Sequence, residues 1–297
     1  MVNYNISSRA DYDNLVAVTA STPLTANDNV YIRNNFTITH PAPASVPRLG
    51  TATLYGHGDI LGNNVNSISI DLGGGTLSQG IFQLSGGVIF NVYIDISSNL
   101  VIDNHSSILL QNNSYGSIRN VQIRGSATVT EAKFFVNSTG GPLDVQHVSV
   151  SGITCAGNNA FGVGFTTHVL SMNNIVINVF NRVAKSLQLV GYSEGSPISR
   201  STIASCAIVA LDSIPSPNVV EVGRNVLLIR ALRNTDISQC SVITSNGGGL
   251  STAQRSNVAI VWSVDTISEN AVSISDCYVF CGTSQPNNFV CKGINIA

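Results

Sequence analysis

The residues able to do chemistry are few and scattered. The chain has 297 residues, of which 16 are Asp or Glu, 5 are His and 6 are Cys. Hydrolysis of a glycosidic bond needs two carboxyl groups at a set separation, one to protonate and one to attack or to activate water. No two acidic residues are neighbours anywhere in this chain. Gly56-His57-Gly58 sets a histidine in a glycine-rich turn, and Ile102-Asp103-Asn104-His105 brings an acid and a histidine within two residues. Both read most simply as polar turns between strands, because neither has a second acid beside it. Cys277 and Cys281 have the spacing of half a zinc site, yet no second pair follows them. No metal and no cofactor is expected.

Composition narrows the classes further. Only 10% of residues are charged and 43% are hydrophobic, with a formal net charge of −2. Ordinary globular chains carry about 25% charged residues. Asn, Ser, Gly and Thr supply the polarity here, as they do where many turns connect Val-, Ile- and Thr-rich strands. The 14 Lys and Arg are dispersed, so no basic patch is expected to neutralise a nucleic-acid backbone. No run reaches the ~18 apolar residues of a membrane span. Met1 to Thr19 lacks a basic stretch followed by an apolar one, so no leader peptide is expected.

What must position any site is a repeat. Its pattern is aliphatic, any, polar, small apolar, any, aliphatic. The copies are Ile89-Phe90-Asn91-Val92-Tyr93-Ile94, then those of Ile118 to Ile123, Val145 to Val150, Met172 to Ile177, Ile203 to Ile208, Ile237 to Val242 and Ile274 to Val279. The fourth positions fall at 92, 121, 148, 175, 206, 240 and 277, so the steps are 29, 27, 27, 31, 34 and 37. Steps of about 20–50 residues mark stacked architectures. The first residue is followed by apolar ones three and five positions later, whereas one straight strand would place them at two and four. A bend at the polar third position accounts for the extra residue. That corner is held by Asn91, Asn120, His147, Asn174, Ser205, Gln239 and Asp276. Asn tolerates left-handed backbone angles and hydrogen-bonds locally. Stacking would bring corner side chains within about 4.8 Å of each other. Cys206, Cys240 and Cys277 share the position after the corner and should form an inward row, packing as small hydrophobes.

The repeat resembles the right-handed parallel β-helix superfamily, which includes pectate lyases, polygalacturonases, phage tailspikes and viral surface proteins. The resemblance implies an all-β, single-stranded right-handed parallel β-helix, a solenoid of about 9–10 coils. A β-sandwich would also show short strands and Gly/Asn turns, but not seven copies of one offset pattern. Residues 1–28 are expected to cap the first coil, with a short helix or loop over Asp11 to Thr22. Residues 29–282 form the solenoid and 283–297 close it, as one structural domain. The polygalacturonase pattern has an adjacent Asp pair, a Gly-His-Gly and an Arg-x-Lys, and only the second of these is present. Ile102-Asp103-Asn104-His105 departs in order from the lyase motif ending in Ile-Asp-His.

Two functions follow from this. The first is a structural solenoid that forms part of a larger assembly or decorates it, a virion or surface appendage above all. Its partners would be other protein subunits, and the mean hydropathy of +0.24 fits an outer surface that neighbours cover. The second is a carbohydrate-active or glycan-binding β-helix with an unusual site. Three residues after each marker stand Asp95, Arg124, Ser151 and Asn178, a row with one acid and one base. Glu131 and Asp144 are further candidates. Tyr93 and Tyr278 point outward by parity, six coils apart, and so suggest no stacking platform.

Overall fold

The computed structural model of the chain describes residues 1–39, 44–56, 66–103, 106–181, 183, 186–193, 200–212, 225–232, 234–244, 257–264, 272–281 and 288–291. They are nearly all β with one helix, and the strands stack in parallel as a β-solenoid whose corner-bearing part makes about seven turns.

The register explains the six-residue pattern. Ile89, Ile118, Val145, Met172, Ile203, Ile237 and Ile274 stand one above another on the first wall. Ile94, Ile123, Val150, Ile177, Ile208, Val242 and Val279 do the same on the second. Strands Asn3–Ile6, Asn29–Ile32 and Thr53–Tyr55 continue the first wall below Ile89 in the same parallel pairing. Side chains of like shape therefore touch like side chains on the next rung. Each fully buried aliphatic side chain contributes roughly 1.5–3 kcal/mol, so the two rows are a large part of the core.

Between the two walls the chain turns at the polar position. All seven corner residues have left-handed φ: Asn91 58°, Asn120 53°, His147 54°, Asn174 56°, Ser205 53°, Gln239 54° and Asp276 52°. A single left-handed residue rotates the strand by one position without breaking the stack. It lets Val92 or Cys206 and its neighbour two residues on both face the core. A second bend lies at Gly125 and Gly152. At Gly152 φ is 75° and a β-carbon would sit 2.5 Å from the carbonyl oxygen of Gly125, so only glycine fits.

A third wall closes the coil. It runs through Lys133–Ser138, Asn159–Thr166, Ser186–Ser193, Asn225–Leu232, Asn257–Val264 and Asn288–Cys291, each in parallel register with the next.

The first coil is covered by the helix Arg9–Thr19. Ser8 caps it: its Oγ accepts from the Asp11 amide at 3.2 Å, while the Asp11 carboxylate accepts from the Ser7 amide at 2.9 Å. This reciprocal pairing satisfies donors that a helix start leaves open. Tyr12 and Leu15 are buried. Tyr12 packs between Phe36 and Phe82, and its hydroxyl donates to the Ile81 carbonyl at 2.8 Å. Burial pushes the Tyr12 phenol well above its usual range, so it remains a neutral donor. The segment before residue 29 is not only a cover, since Asn3–Ile6 itself forms a rung beneath Asn29–Ile32.

Candidate functional site

Six of the seven corner residues meet in pairs along the axis. Asn120 Nδ2 donates to Asn91 Oδ1 at 2.7 Å, Asn174 Nδ2 lies 2.9 Å from His147 Nδ1, and Ser205 Oγ donates to Gln239 Oε1 at 3.2 Å. Asn91 is buried, and the other six are exposed. These contacts fasten one rung to the next, and their chemistry is that of a seam.

The cysteine row lies where its register puts it. Cys206 and Cys240 are buried and Cys277 is half-buried, all as free thiols. The Cys206 amide donates to Cys240 Sγ and the Cys240 amide to Cys277 Sγ, each at 3.4 Å. The hydrogen bond with the Cys206 thiol, then burial, pushes the Cys240 thiol up to about 12. The hydrogen bond with Cys240, then burial, pushes Cys277 up as well. Nucleophilic and metal-binding cysteines need the thiolate, and Cys240 and Cys277 are held toward the protonated form. Cys155, elsewhere in the core, is pushed up by burial alone. Among the described residues no group of three His, Cys, Asp or Glu side chains has metal-binding geometry.

Three of the acids named from the sequence, Asp95, Asp144 and Glu131, each have a partner. Arg124 Nε donates to Asp95 Oδ1 at 2.5 Å across adjacent rungs. That bond and the nearby charge push the Arg124 guanidinium higher still. Asp144 accepts from Arg119 at 2.9 Å and from Gln146 at 3.0 Å. Glu131, with φ of 56°, accepts from the amide and side chain of Asn158 at 2.7 and 3.1 Å. The acid and base of the Asp95 row thus neutralise each other. His57 and Gly58, and Asn104 and His105, lie outside the described residues.

One Gly-x-Ser-x-Gly spelling occurs, Gly191-Tyr192-Ser193-Glu194-Gly195. A nucleophile elbow exposes its serine at a sharp turn. Ser193 instead ends a strand, in register with Thr166 and Leu232, and is fully buried with no partner for its Oγ.

The outer surface carries two features that the sequence reading missed. The first is an aromatic ladder. Tyr31, Tyr55 and Phe90 point outward from successive rungs of the first wall. Tyr31 and Tyr55 stack at 5.2 Å and 13°, and Phe90 meets Tyr55 edge-on at 6.2 Å. The Arg33 guanidinium covers Tyr31 at 4.5 Å, and Arg124 covers Tyr93 at 5.4 Å. A sugar binds a ring through its face. Tyr31 already stacks on Tyr55 and carries the Arg33 guanidinium over its ring, so this ladder seals rungs to one another.

The second feature is an apolar face on the second wall. Two outward rows rise along the axis: Tyr93, Gln122, Ser149, Val176, Ala207, Ser241, Tyr278, and Asp95, Arg124, Ser151, Asn178, Val209, Ile243, Phe280. The second row starts on the Asp95–Arg124 pair and ends apolar, at Val209, Ile243 and Phe280; the first begins and ends on tyrosine, with Val176 and Ala207 between and Ser241 buried beneath Tyr278. Tyr278 and Phe280 are 57% and 58% exposed and Val176 is 37% exposed; Phe180, two residues past Asn178 on the same strand and paired with Thr154 and Leu211, is 39% exposed. Extending the Asp95 row beyond Asn178 in the sequence reaches Val209, Ile243 and Phe280, so the signal was in the register.

No protein-family model, no curated protein and no solved structure matches the chain.

Proposed function

We propose that this protein is a structural subunit, a rigid solenoid that joins a larger assembly through the outer face of its second wall. The observation that carries the reading is the change of that face from polar on the lower rungs to exposed Val176, Phe180, Tyr278 and Phe280 above. Exposed apolar side chains in contiguous rows mark contact surfaces. The acid-base pairings support the same reading, because Asp95, Asp144 and Glu131 are each committed to rung-to-rung contacts. A virion or a surface appendage is the kind of assembly proposed, since a stack fastened by seams at the corner, the core and the surface suits a load-bearing part.

A glycan-binding or glycan-cleaving solenoid is the alternative, resting on the outward aromatics, but their stacked faces disfavour it. Light scattering of the purified chain, run beside a panel of polysaccharides, tests the choice. Association without cleavage or retention on any glycan is expected. A monodisperse single chain that cleaves or retains a polysaccharide would overturn the proposal.

A further inference from the structure

We infer that the apolar face of the second wall is covered by the same face of a second copy of this chain. The inference rests on the assembly reading above and names the partner.

Three observations favour a copy over a different protein. The strip is periodic: Val209, Ile243 and Phe280 stand on successive rungs in register, and Tyr278 stands directly over Ser241. Rungs repeat every 4.7–4.9 Å. Side chains at that period interdigitate best with a surface of the same period, which another parallel β-stack has and a helical or irregular surface lacks. The second is charge. Above Arg124 neither row contains a charged residue, so two copies can meet without burying like charges against each other, as a symmetric contact otherwise would.

The third is area. An aromatic side chain carries about 150–250 Å², so the exposed parts of Tyr278, Phe280 and Phe180 amount to roughly 300 Å². The flanking Val176, Val209 and Ile243 bring the strip to roughly 400–500 Å². A stable pair covers about 800 Å² per partner, of which about 65% is apolar in homodimers. The strip supplies that apolar part, and Ser149, Ser151 and Asn178 on the rungs below supply a polar rim. A two-fold axis through the face makes the contact isologous.

The experiment is sedimentation velocity of the full chain over a range of concentrations. It compares the wild type with the double variant Tyr278→Glu, Phe280→Glu, and with a control pair, Ser171→Glu, Thr202→Glu, on the outer side of the first wall. Circular dichroism checks that each is folded. The wild type and the control are expected to pair reversibly, and the double variant to dissociate about 100-fold more readily or worse, as for loss of central aromatic anchors. If the double variant does not fold, Val176→Glu reads the same face. Pairing that the charges leave unchanged overturns the inference. A wild type that stays single also overturns it, and an apolar dye then separates the two readings. Dye uptake lost in the double variant leaves the assembly reading standing with another occupant. Dye uptake absent from the wild type removes both.

Discussion

The corner seam gives the sharpest test of how the sequence holds this stack. Asn91 is buried, has φ of 58° and accepts from Asn120 Nδ2 at 2.7 Å. Asn91→Gly and Asn91→Val both delete that hydrogen bond, worth about 0.5–1.5 kcal/mol. Glycine adopts the left-handed angle freely but costs about 0.5–1 kcal/mol through the unfolded chain. Valine adds left-handed strain of about 1–2 kcal/mol, at the upper end because it is β-branched. The totals are about 1–2 kcal/mol for glycine and about 3 kcal/mol for valine. In a thermal melt followed by circular dichroism, at about 2–4 °C per kcal/mol, glycine should lower Tm by about 3–5 °C and valine by roughly twice as much. The difference isolates backbone handedness, because both variants lose the same amide. If valine is tolerated as well as glycine, the left-handed corner is not what the asparagine supplies.

Other expectations come from the remaining seams. Tyr55→Ala removes ring contacts to both Tyr31 and Phe90 and should cost about 1–3 kcal/mol, from pairs worth about 0.5–1.5 kcal/mol each, read by urea titration. Tyr55→Phe should restore nearly all of it. Cys206 and Cys240 should resist alkylation at neutral pH and react fully in denaturant, as read by mass spectrometry, because both are buried and the hydrogen bond with Cys206, then burial, holds the Cys240 thiol up to about 12. Rapid native labelling of Cys240 would show that the row opens. The Asp28 carboxylate is held low, first by the Thr25 hydroxyl and then by the Thr25 amide, and it also accepts from the Val2 amide at 3.0 Å. Its folded pKa lies below the unfolded value, so its stabilisation is present above about pH 3.9 and fades as pH falls through the folded value. The hydrogen-exchange protection factors of Asn3–Ile6, corrected for the intrinsic pH dependence of exchange, should fall on acidification, and Asp28→Asn should abolish that fall.

The repeat was legible because the core of a parallel stack writes the same residue types at the same offset in every coil. The polar third position showed the corner because left-handed backbone selects Asn and its small polar relatives. The positions that went unread have a common physical cause. Tyr31 and Tyr55 lie in coils whose spacing is less regular than that above Ile89, so no shared register tied them to Phe90. The third wall pairs as extended strands from Lys133 upward, over the shorter bonded segments at Ile108 to Leu110 and at Ile81 and Phe82, and its inner residues form continuous apolar runs such as Phe134-Phe135-Val136, which carry no period. Glu131, Asn113 and Asn234 also take left-handed φ, each outside the six-residue pattern. Over its first four coils the Asp95 row holds one acid and one base and so suggests chemistry. Three coils further on it is apolar, and its polarity gradient is the feature that bears on function. What surface a solenoid shows is set by every second residue of every rung, and those residues are under a looser packing constraint than the core.

The most direct measurement on the central claim is imaging of the purified chain in negative stain at the concentration where light scattering is recorded. Short rods lying side by side, in pairs or larger regular groups, are the predicted result. Separate single rods at every concentration, in a sample that cleaves or retains a polysaccharide, would contradict the account.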